Sequence, residues 1–187
     1  MKAGPDTPAP NRLGFAVKIL GRPDLKSDDA RRWQSGPHLG VSLGYLDAIL
    51  DYLGETGIRM YRMSSNLAPY ATHPDLPQFH RQIDECRDEL ARVGDQARRL
   101  GIRLSFHPGQ YTVLNSPHDH VADAATKDVV YQADLLDALG CGPEARIVIH
   151  VGGVYGDRAA AIERFIARYL ELPERAQRRL VLENDET

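Results

Sequence analysis

Hydrophobic positions along the chain follow two alternating patterns, one with the period of a strand and one with the period of a helix. Short apolar runs predict strands at residues 13–20, 58–63, 102–106, 146–149 and 180–182. Apolar residues recur at helical spacing in four longer segments between these runs. The strand ends, near positions 20, 64, 107, 150 and 183, lie about 44, 43, 43 and 33 residues apart. Each interval holds a strand, a loop and a helix, which predicts βαβ units and a parallel sheet.

The helical segments have predicted starts and inner faces. Ser42 is predicted to cap the first helix, and the second is predicted to run unbroken over residues 79–100. Asp157 is predicted to cap the fourth, with Ile162 and Ile166 on its inner face. Right-handed crossovers would curl five such units into an arc. The predicted fold class is therefore α/β, a partial (β/α)8 TIM barrel of about five βα units with a parallel sheet.

Composition narrows the class of protein. The 187 residues suit one domain with a sizeable core. A net charge of −3 argues against a strongly basic nucleic-acid binder, although it leaves room for a local basic strip. Cys86 and Cys141 lie far from any CxxC pattern and are expected to be buried or idle thiols in a reducing cytosol.

The N-terminus and the hydropathy pattern bear on location. Residues 1–11 hold three prolines and no apolar stretch, so we expect a disordered lead there and a folded domain over residues 12–187. No apolar run approaches the ~20 residues that a membrane-spanning helix needs. We therefore expect a cytoplasmic protein with no membrane partner, and no obligate protein partner is evident.

Three of the predicted strands end on residues that bind divalent metals. His107, His150 and Glu183 each follow an apolar run directly. The carboxyl ends of parallel strands meet on one rim, which carries the active site in a β/α barrel. Two imidazoles and a carboxylate there predict a divalent-metal site and are the candidate catalytic residues, although spacing does not choose among Zn²⁺, Mn²⁺ and Fe²⁺. The alternative for Glu183 is that it begins a solvated loop at residues 183–186.

The loops on the same rim supply candidate substrate-binding residues. His73 lies in a proline-rich loop after the second predicted strand, where an exposed histidine without a function is an equal alternative. Gln110 and Tyr111 follow the turn at Pro108 and Gly109. An amide and an aromatic ring in that place can contact a base or a sugar, and the alternative for Tyr111 is that it packs against the rim loop.

Seven motifs in chain order resemble those of the UV damage endonucleases, from residue 13 to the C-terminus. They are Leu13-Gly14-Phe15, Tyr61-Arg62-Met63-Ser64-Ser65, Ala71-Thr72-His73-Pro74, Ser105-Phe106-His107-Pro108-Gly109-Gln110-Tyr111, Val113-Leu114-Asn115-Ser116-Pro117, His150-Val151-Gly152-Gly153-Val154-Tyr155-Gly156 and Leu182-Glu183-Asn184-Asp185. The resemblance implies a TIM barrel akin to endonuclease IV. It also implies a cluster of divalent metals, typically Mn²⁺ with Zn²⁺ or Mg²⁺ as alternatives, that cuts double-stranded DNA immediately 5′ of a UV photoproduct in a bacterial-type cell.

The resemblance also implies roles for single residues. His107 and His150 match ligands of the metal cluster, and Glu183 matches its bridging carboxylate. Gln110 and Tyr111 match the pair that probes the damaged duplex. The histidine of the Ala71-Thr72-His73-Pro74 motif matches a further histidine on the active-site rim.

Two departures from the family pattern create further expectations. Phe15 and Lys18-Ile19 stand where the family has a tyrosine and an asparagine, so lesion contacts from the first strand are not expected to be conserved. The family's remaining metal ligands lie on strands after the one that ends at Glu183. The chain is therefore expected to be truncated after the fifth strand, with an open sheet edge and with hydrolysis by these residues alone not expected.

Two other functions fit the same residues. A metal-dependent sugar isomerase or epimerase also places histidine and carboxylate ligands at strand ends. A non-catalytic half-barrel that binds DNA or a partner without cutting is the second alternative.

Overall fold

Five short strands alternate with helices in the structure, a computed structural model that describes residues 11–183. The strands are β1 (Gly14–Ala16), β2 (Met60–Arg62), β3 (Arg103–Ser105), β4 (Ile147–His150) and β5 (Leu180–Glu183). The helices are α1 (Leu39–Thr56), α2 (Gln82–Glu85), α3 (Arg87–Arg99), α4 (Asp119–Ala138), α5 (Arg158–Glu171) and α6 (Glu174–Gln177), with 3₁₀ turns at Trp33–Ser35 and Pro77–Phe79. Apart from Asn11, the predicted disordered lead lies outside the described residues.

All strand pairings among the described residues are parallel and follow chain order. β1 pairs with β2, β2 with β3, and β4 with β5. A parallel bridge between Phe106 and Ile147 joins the two groups, with the Phe106 N–H donating to the Arg146 carbonyl at 2.9 Å. The α/β class and the partial barrel are confirmed. Within residues 11–183 the strands form an open arc with β1 and β5 at its edges.

The hydrophobic core lies between the outer face of this arc and the helices. Strand residues Tyr61, Leu104 and Phe106 are almost completely buried against the helices. α1 contributes the inner face that its sequence predicted, formed by Leu43, Leu46, Ile49, Leu50 and Leu53. Each such side chain contributes about 1.5–3 kcal/mol on full burial. Because side chains alternate along a strand, the opposite positions face the inner side of the arc.

The first helix begins earlier than predicted, and Ser42 does not cap it. α1 starts at Leu39, where the His38 ring accepts a hydrogen bond from the Gly40 N–H at 3.2 Å. The hydroxyl of Ser42 is instead buried and accepts from the Asp29 N–H at 2.9 Å. Ser42 therefore fastens the loop before α1 to the helix.

The first strand and the second helix also differ from the prediction. β1 ends at Ala16 rather than near residue 20, because Val17 adopts a left-handed conformation with φ 56°. The helix predicted over residues 79–100 is broken at Cys86 into α2 and α3. Its first part is oriented by Gln82, whose buried amide bonds to the Leu39 N–H and to two carbonyls.

The inner face of α5 is narrower than predicted. The Asp157 side chain accepts from the Ala160 N–H, as expected of a cap. Phe165 is buried, but Ile162 and Ile166 are 44% and 50% exposed, so their predicted inward placement is wrong. No helix among the described residues has the length and hydropathy to cross a bilayer.

Candidate metal centre

His107, His150 and Glu183 come together at the carboxyl ends of three neighbouring strands. His150 and Glu183 are paired in register as the last residues of β4 and β5. His107 follows β3, and its ring centroid lies 5.1 Å from that of His150. One ligand atom from each of the three side chains lies within 4.8 Å of the others. The sequence predicted this juxtaposition, because parallel strands in chain order place their carboxyl ends on one edge.

The hydrogen bonds of His107 orient its ring. Its Nδ1 lies 2.9 Å from the Pro108 carbonyl, which can only accept, so this nitrogen carries a hydrogen. The Nε2 atom lies 2.7 Å from Glu183 Oε2 and donates to it, and a bound metal ion would take the place of that hydrogen. The ring is thus fixed by the backbone on one side and presents Nε2 to the site on the other. Metal-binding histidines are commonly oriented in this way.

The charge of Glu183 suits a ligand. The hydrogen bond from His107 is the main reason that the pKa of this carboxyl lies below its usual range. The nearby charges of His107, His150 and Arg62 act in the same direction, against the opposing effect of partial desolvation. Two imidazole nitrogens and an ionised carboxylate are donors that divalent first-row metals accept, so the residues present fit a divalent ion. Residues 184–186 lie outside the described part of the chain.

The predicted substrate-binding residues lie beside this group rather than in it. Gln110 and Tyr111 are the central residues of a turn closed by the Thr112 N–H, which donates to the Gly109 carbonyl at 2.9 Å. Tyr111 is 83% exposed and does not pack against the rim loop. His73 is also exposed. It lines the same cavity of about 680 Å³ as Tyr111, between the loops that follow β2 and β3.

The loop after His150 is held close to the loop after His107. The buried Asn115 side chain donates to the Gly153 carbonyl at 2.9 Å, and Arg164 donates to the Asn115 carbonyl at 2.9 Å. Gly152 has φ 98°, and a Cβ atom there would lie 2.2 Å from Asn115 Oδ1. Glycine is therefore required at this position, which explains part of the glycine-rich motif after His150.

Asp128 on α4 is a polar residue near the site that the sequence did not single out. Its carboxylate accepts from the Thr72 hydroxyl at 2.6 Å, and the nearby Thr112 hydroxyl acts to lower the pKa of this carboxyl. The available signal was a carboxylate three residues after the buried Ala125 and four before the buried Gln132, which is the spacing of one helix face.

The residues that depart from the family pattern have structural roles or are exposed. Phe15 packs edge-on against Tyr61, with ring centroids 5.6 Å apart. Ile19 is buried, and Lys18 is exposed beside a second cavity of about 790 Å³.

Comparison with known proteins gives consistent matches. The family model described as UV-endonuclease UvdE matches residues 43–187. The chain is 41% identical over 138 residues to the UV DNA damage endonuclease of Bacillus velezensis, covering 73% of this chain and 42% of the relative. It is 41% identical over 138 residues to the UV-damage endonuclease of Neurospora crassa, covering 70% of this chain and 20% of the relative.

A solved structure is similar over most of the chain. The crystal structure of SacUVDE superposes with a TM-score of 0.80 at 32% sequence identity, covering 93% of this chain and 61% of that chain. The chain thus spans less than half the length of the two relatives named above.

Proposed function

The chain belongs to the UV-endonuclease UvdE family, and on that premise we propose that it forms part of a DNA repair endonuclease that nicks double-stranded DNA 5′ of UV photoproducts. His107, His150 and Glu183 are proposed as ligands of a divalent-metal cluster and as the catalytic residues. The observation that carries this proposal is the approach of their ligand atoms to within 4.8 Å of one another at adjacent strand ends.

The chain's own residues act by orientation and charge. A divalent cluster held by these three side chains would supply charge neutralisation at the scissile phosphate and an activated water. His107 is oriented for this purpose by the Pro108 carbonyl, and Glu183 keeps its negative charge beside it. Mn²⁺ is the proposed metal, with Zn²⁺ and Mg²⁺ as alternatives.

Recognition of damage is assigned to the exposed loops. The turn that carries Gln110 and Tyr111 projects an amide and a ring from the rim, and His73 lines the same cavity as Tyr111. Side chains of this kind can wedge between base steps where a photoproduct has already weakened stacking. The proposal includes a cytoplasmic location in a bacterial-type cell. The UV damage endonucleases among the relatives favour a DNA repair endonuclease over a sugar isomerase.

A nicking assay tests this function directly. A labelled duplex with one defined photoproduct is incubated with the chain, with and without Mn²⁺, and with a chimera in which the C-terminal part of the Bacillus velezensis relative follows Glu183. The proposal predicts Mn²⁺-dependent cutting immediately 5′ of the lesion by at least one of the two proteins. The same duplex without the lesion and the Glu183→Gln variant are the controls. If neither protein cuts while both bind Mn²⁺, the proposed activity is wrong.

A further inference from the structure

We propose that Asp128 is a positioning residue that fastens the turn carrying Gln110 and Tyr111 to the loop carrying His73, and thereby sets the preference for damaged over undamaged DNA. This inference rests on the proposed function. Asp128 touches neither the metal centre nor any residue proposed to contact DNA, and it acts through Thr72 and Thr112.

The geometry places one carboxylate between two loops. Asp128 lies in the middle of α4. Thr72, in the loop after β2, donates its hydroxyl to Asp128 Oδ1 at 2.6 Å, and Thr112, in the loop after β3, lies close enough to the same carboxylate that its hydroxyl lowers the pKa of Asp128. Hydrogen bonds to an ionised acceptor are stronger than those between neutral groups. Asp128 therefore joins two loops that are otherwise separate in sequence.

Thr112 is the base of the DNA-probing turn. Its N–H closes the turn onto the Gly109 carbonyl at 2.9 Å, and it is only 8% exposed, whereas the neighbouring Tyr111 is 83% exposed. The turn thus has an exposed end at Tyr111 and a buried end at Thr112. Asp128 lies beside the buried end.

The loop after β2, which carries His73, contains a strained backbone position that the bond to Asp128 helps to hold. Tyr70 has φ 57°, a left-handed conformation that is unfavourable for a bulky side chain. Its ring packs 5.5 Å from that of Phe79 and 6.4 Å from that of His73. The bond from Thr72 to Asp128 lies between Tyr70 and His73 in sequence order and fixes this segment to α4.

An ionised carboxylate at a part-buried helix position carries a desolvation cost. Desolvation raises the pKa of Asp128, and the bonds from Thr72 and Thr112 offset only part of that effect. An apolar residue would pack this helix without the desolvation cost. Asp128 also lines the cavity that separates His73 from Tyr111, so its position matches a role in setting the distance between the two loops.

The test removes each part of this connection separately. Asp128→Ala removes the shared acceptor, and Thr72→Val and Thr112→Val each remove one hydroxyl at nearly constant volume. Thr72→Ser and Thr112→Ser keep the hydroxyl and are the rescue variants. Thr126→Val is the matched control, because Thr126 lies on the same helix and bonds only to the Ala122 carbonyl within it.

Two readouts are used for every variant of the 187-residue chain. Hydrogen exchange, measured without DNA or metal, gives the exchange rates of the Thr112 and His73 amides, which donate to the Gly109 and Tyr70 carbonyls. Fluorescence anisotropy gives the ratio of affinities for a duplex with one photoproduct and the same duplex without it. A role limited to general stability would change exchange throughout the chain and would not be rescued by serine.

We expect Asp128→Ala to raise exchange at both amides by on the order of tenfold to a hundredfold, as loss of a charge-assisted hydrogen bond implies. If the loop arrangement that presents Gln110 and Tyr111 to DNA is then populated about a tenth of the time, the preference for damaged DNA falls about tenfold. Each valine variant should loosen mainly its own loop, each serine variant should restore it, and Thr126→Val should change neither readout.

The outcomes separate this inference from the function on which it rests. Unchanged exchange at both amides in Asp128→Ala, or in both valine variants, would overturn the inference whatever the DNA results. Raised exchange with an unchanged affinity ratio, in a chain whose parent prefers damaged DNA, would also overturn it. A parent chain with no preference for damaged DNA would overturn both the inference and the proposed damage recognition, whereas a preference lost only in the variants supports both.

Discussion

Arg179 is a buried cation whose loss should strongly destabilise the fold. It lies directly before β5 and is only 7% exposed. Its guanidinium donates to the carbonyls of Gly142, Ala145 and Cys141 at 3.0–3.1 Å and pairs with Asp137 at 2.5 Å. These contacts join the strand that carries Glu183 to the loop before β4.

Arg179→Met keeps the aliphatic stem and removes the charged donors. Three carbonyl groups then lose their donor, while Asp137 is 41% exposed and can be solvated, so its ion pair is discounted. Leaving a buried carbonyl without its donor costs about 1–3 kcal/mol, and the Gly142 carbonyl keeps a bond from the Ala145 N–H, so the loss at the carbonyls of Cys141 and Ala145 should total about 2–6 kcal/mol. We expect a loss of that size in the free energy of unfolding, which is a large share of the ~5–15 kcal/mol typical of a domain.

The assay is urea unfolding of the variant beside a neighbouring control. Arg178 pairs with Glu174, and both side chains are more than 70% exposed, so Arg178→Met should cost no more than about 1 kcal/mol. A difference between the two variants of less than about 1 kcal/mol would refute the reasoning that burial and the three carbonyl bonds give Arg179 its role.

Three further predictions concern packing, thiol chemistry and pH. Gly94→Ala would place a Cβ atom 1.7 Å from the Leu139 carbonyl oxygen and should destabilise the chain by about 1–3 kcal/mol, whereas Gly44→Ala, with open space around it, should be neutral or stabilising in the same urea unfolding measurement. Burial raises the pKa of Cys141 to about 11, so only about one thiol in a thousand is ionised at pH 8, and its reaction with a disulfide reagent should be at least about a hundredfold slower in the folded chain than in the urea-unfolded chain. Burial also raises the pKa of Asp128 above 3.8, so the stability contributed by its protonated form is fully present below that pH and is lost as the pH rises through the raised value. Urea unfolding between pH 3.5 and 7 should therefore show the parent losing stability relative to Asp128→Asn. A constant difference between the two proteins would contradict this.

The alternation of strands with helices and the juxtaposition of the three candidate metal ligands could be predicted because they depend on local patterns. Apolar runs that end on His107, His150 and Glu183 at regular spacing are sufficient to place those side chains on one edge of a parallel sheet. The position of these side chains on one edge does not depend on how the helices pack. Chain order and the strand period were sufficient to predict that His107, His150 and Glu183 lie together.

The features that the sequence did not predict depend on contacts between distant residues. The break in the second helix is accompanied by contacts of Gln82 with Leu39, 43 residues away. The bond between Thr72 and Asp128 spans 56 residues. Ile162 is 44% exposed although helical periodicity placed it on the inner face of its helix. Local patterns do not contain this information, because it arises only when the units pack together.

Mn²⁺ titration of the chain, followed by the electron paramagnetic resonance signal of free Mn²⁺, tests the metal centre most directly. The account predicts saturable binding that Glu183→Gln and His150→Asn each weaken by at least about tenfold. His120→Asn is the control, since His120 lies outside the group formed by His107, His150 and Glu183. Binding that is unaffected by Glu183→Gln and His150→Asn, or weakened equally by His120→Asn, would contradict the assignment of the metal to these strand ends.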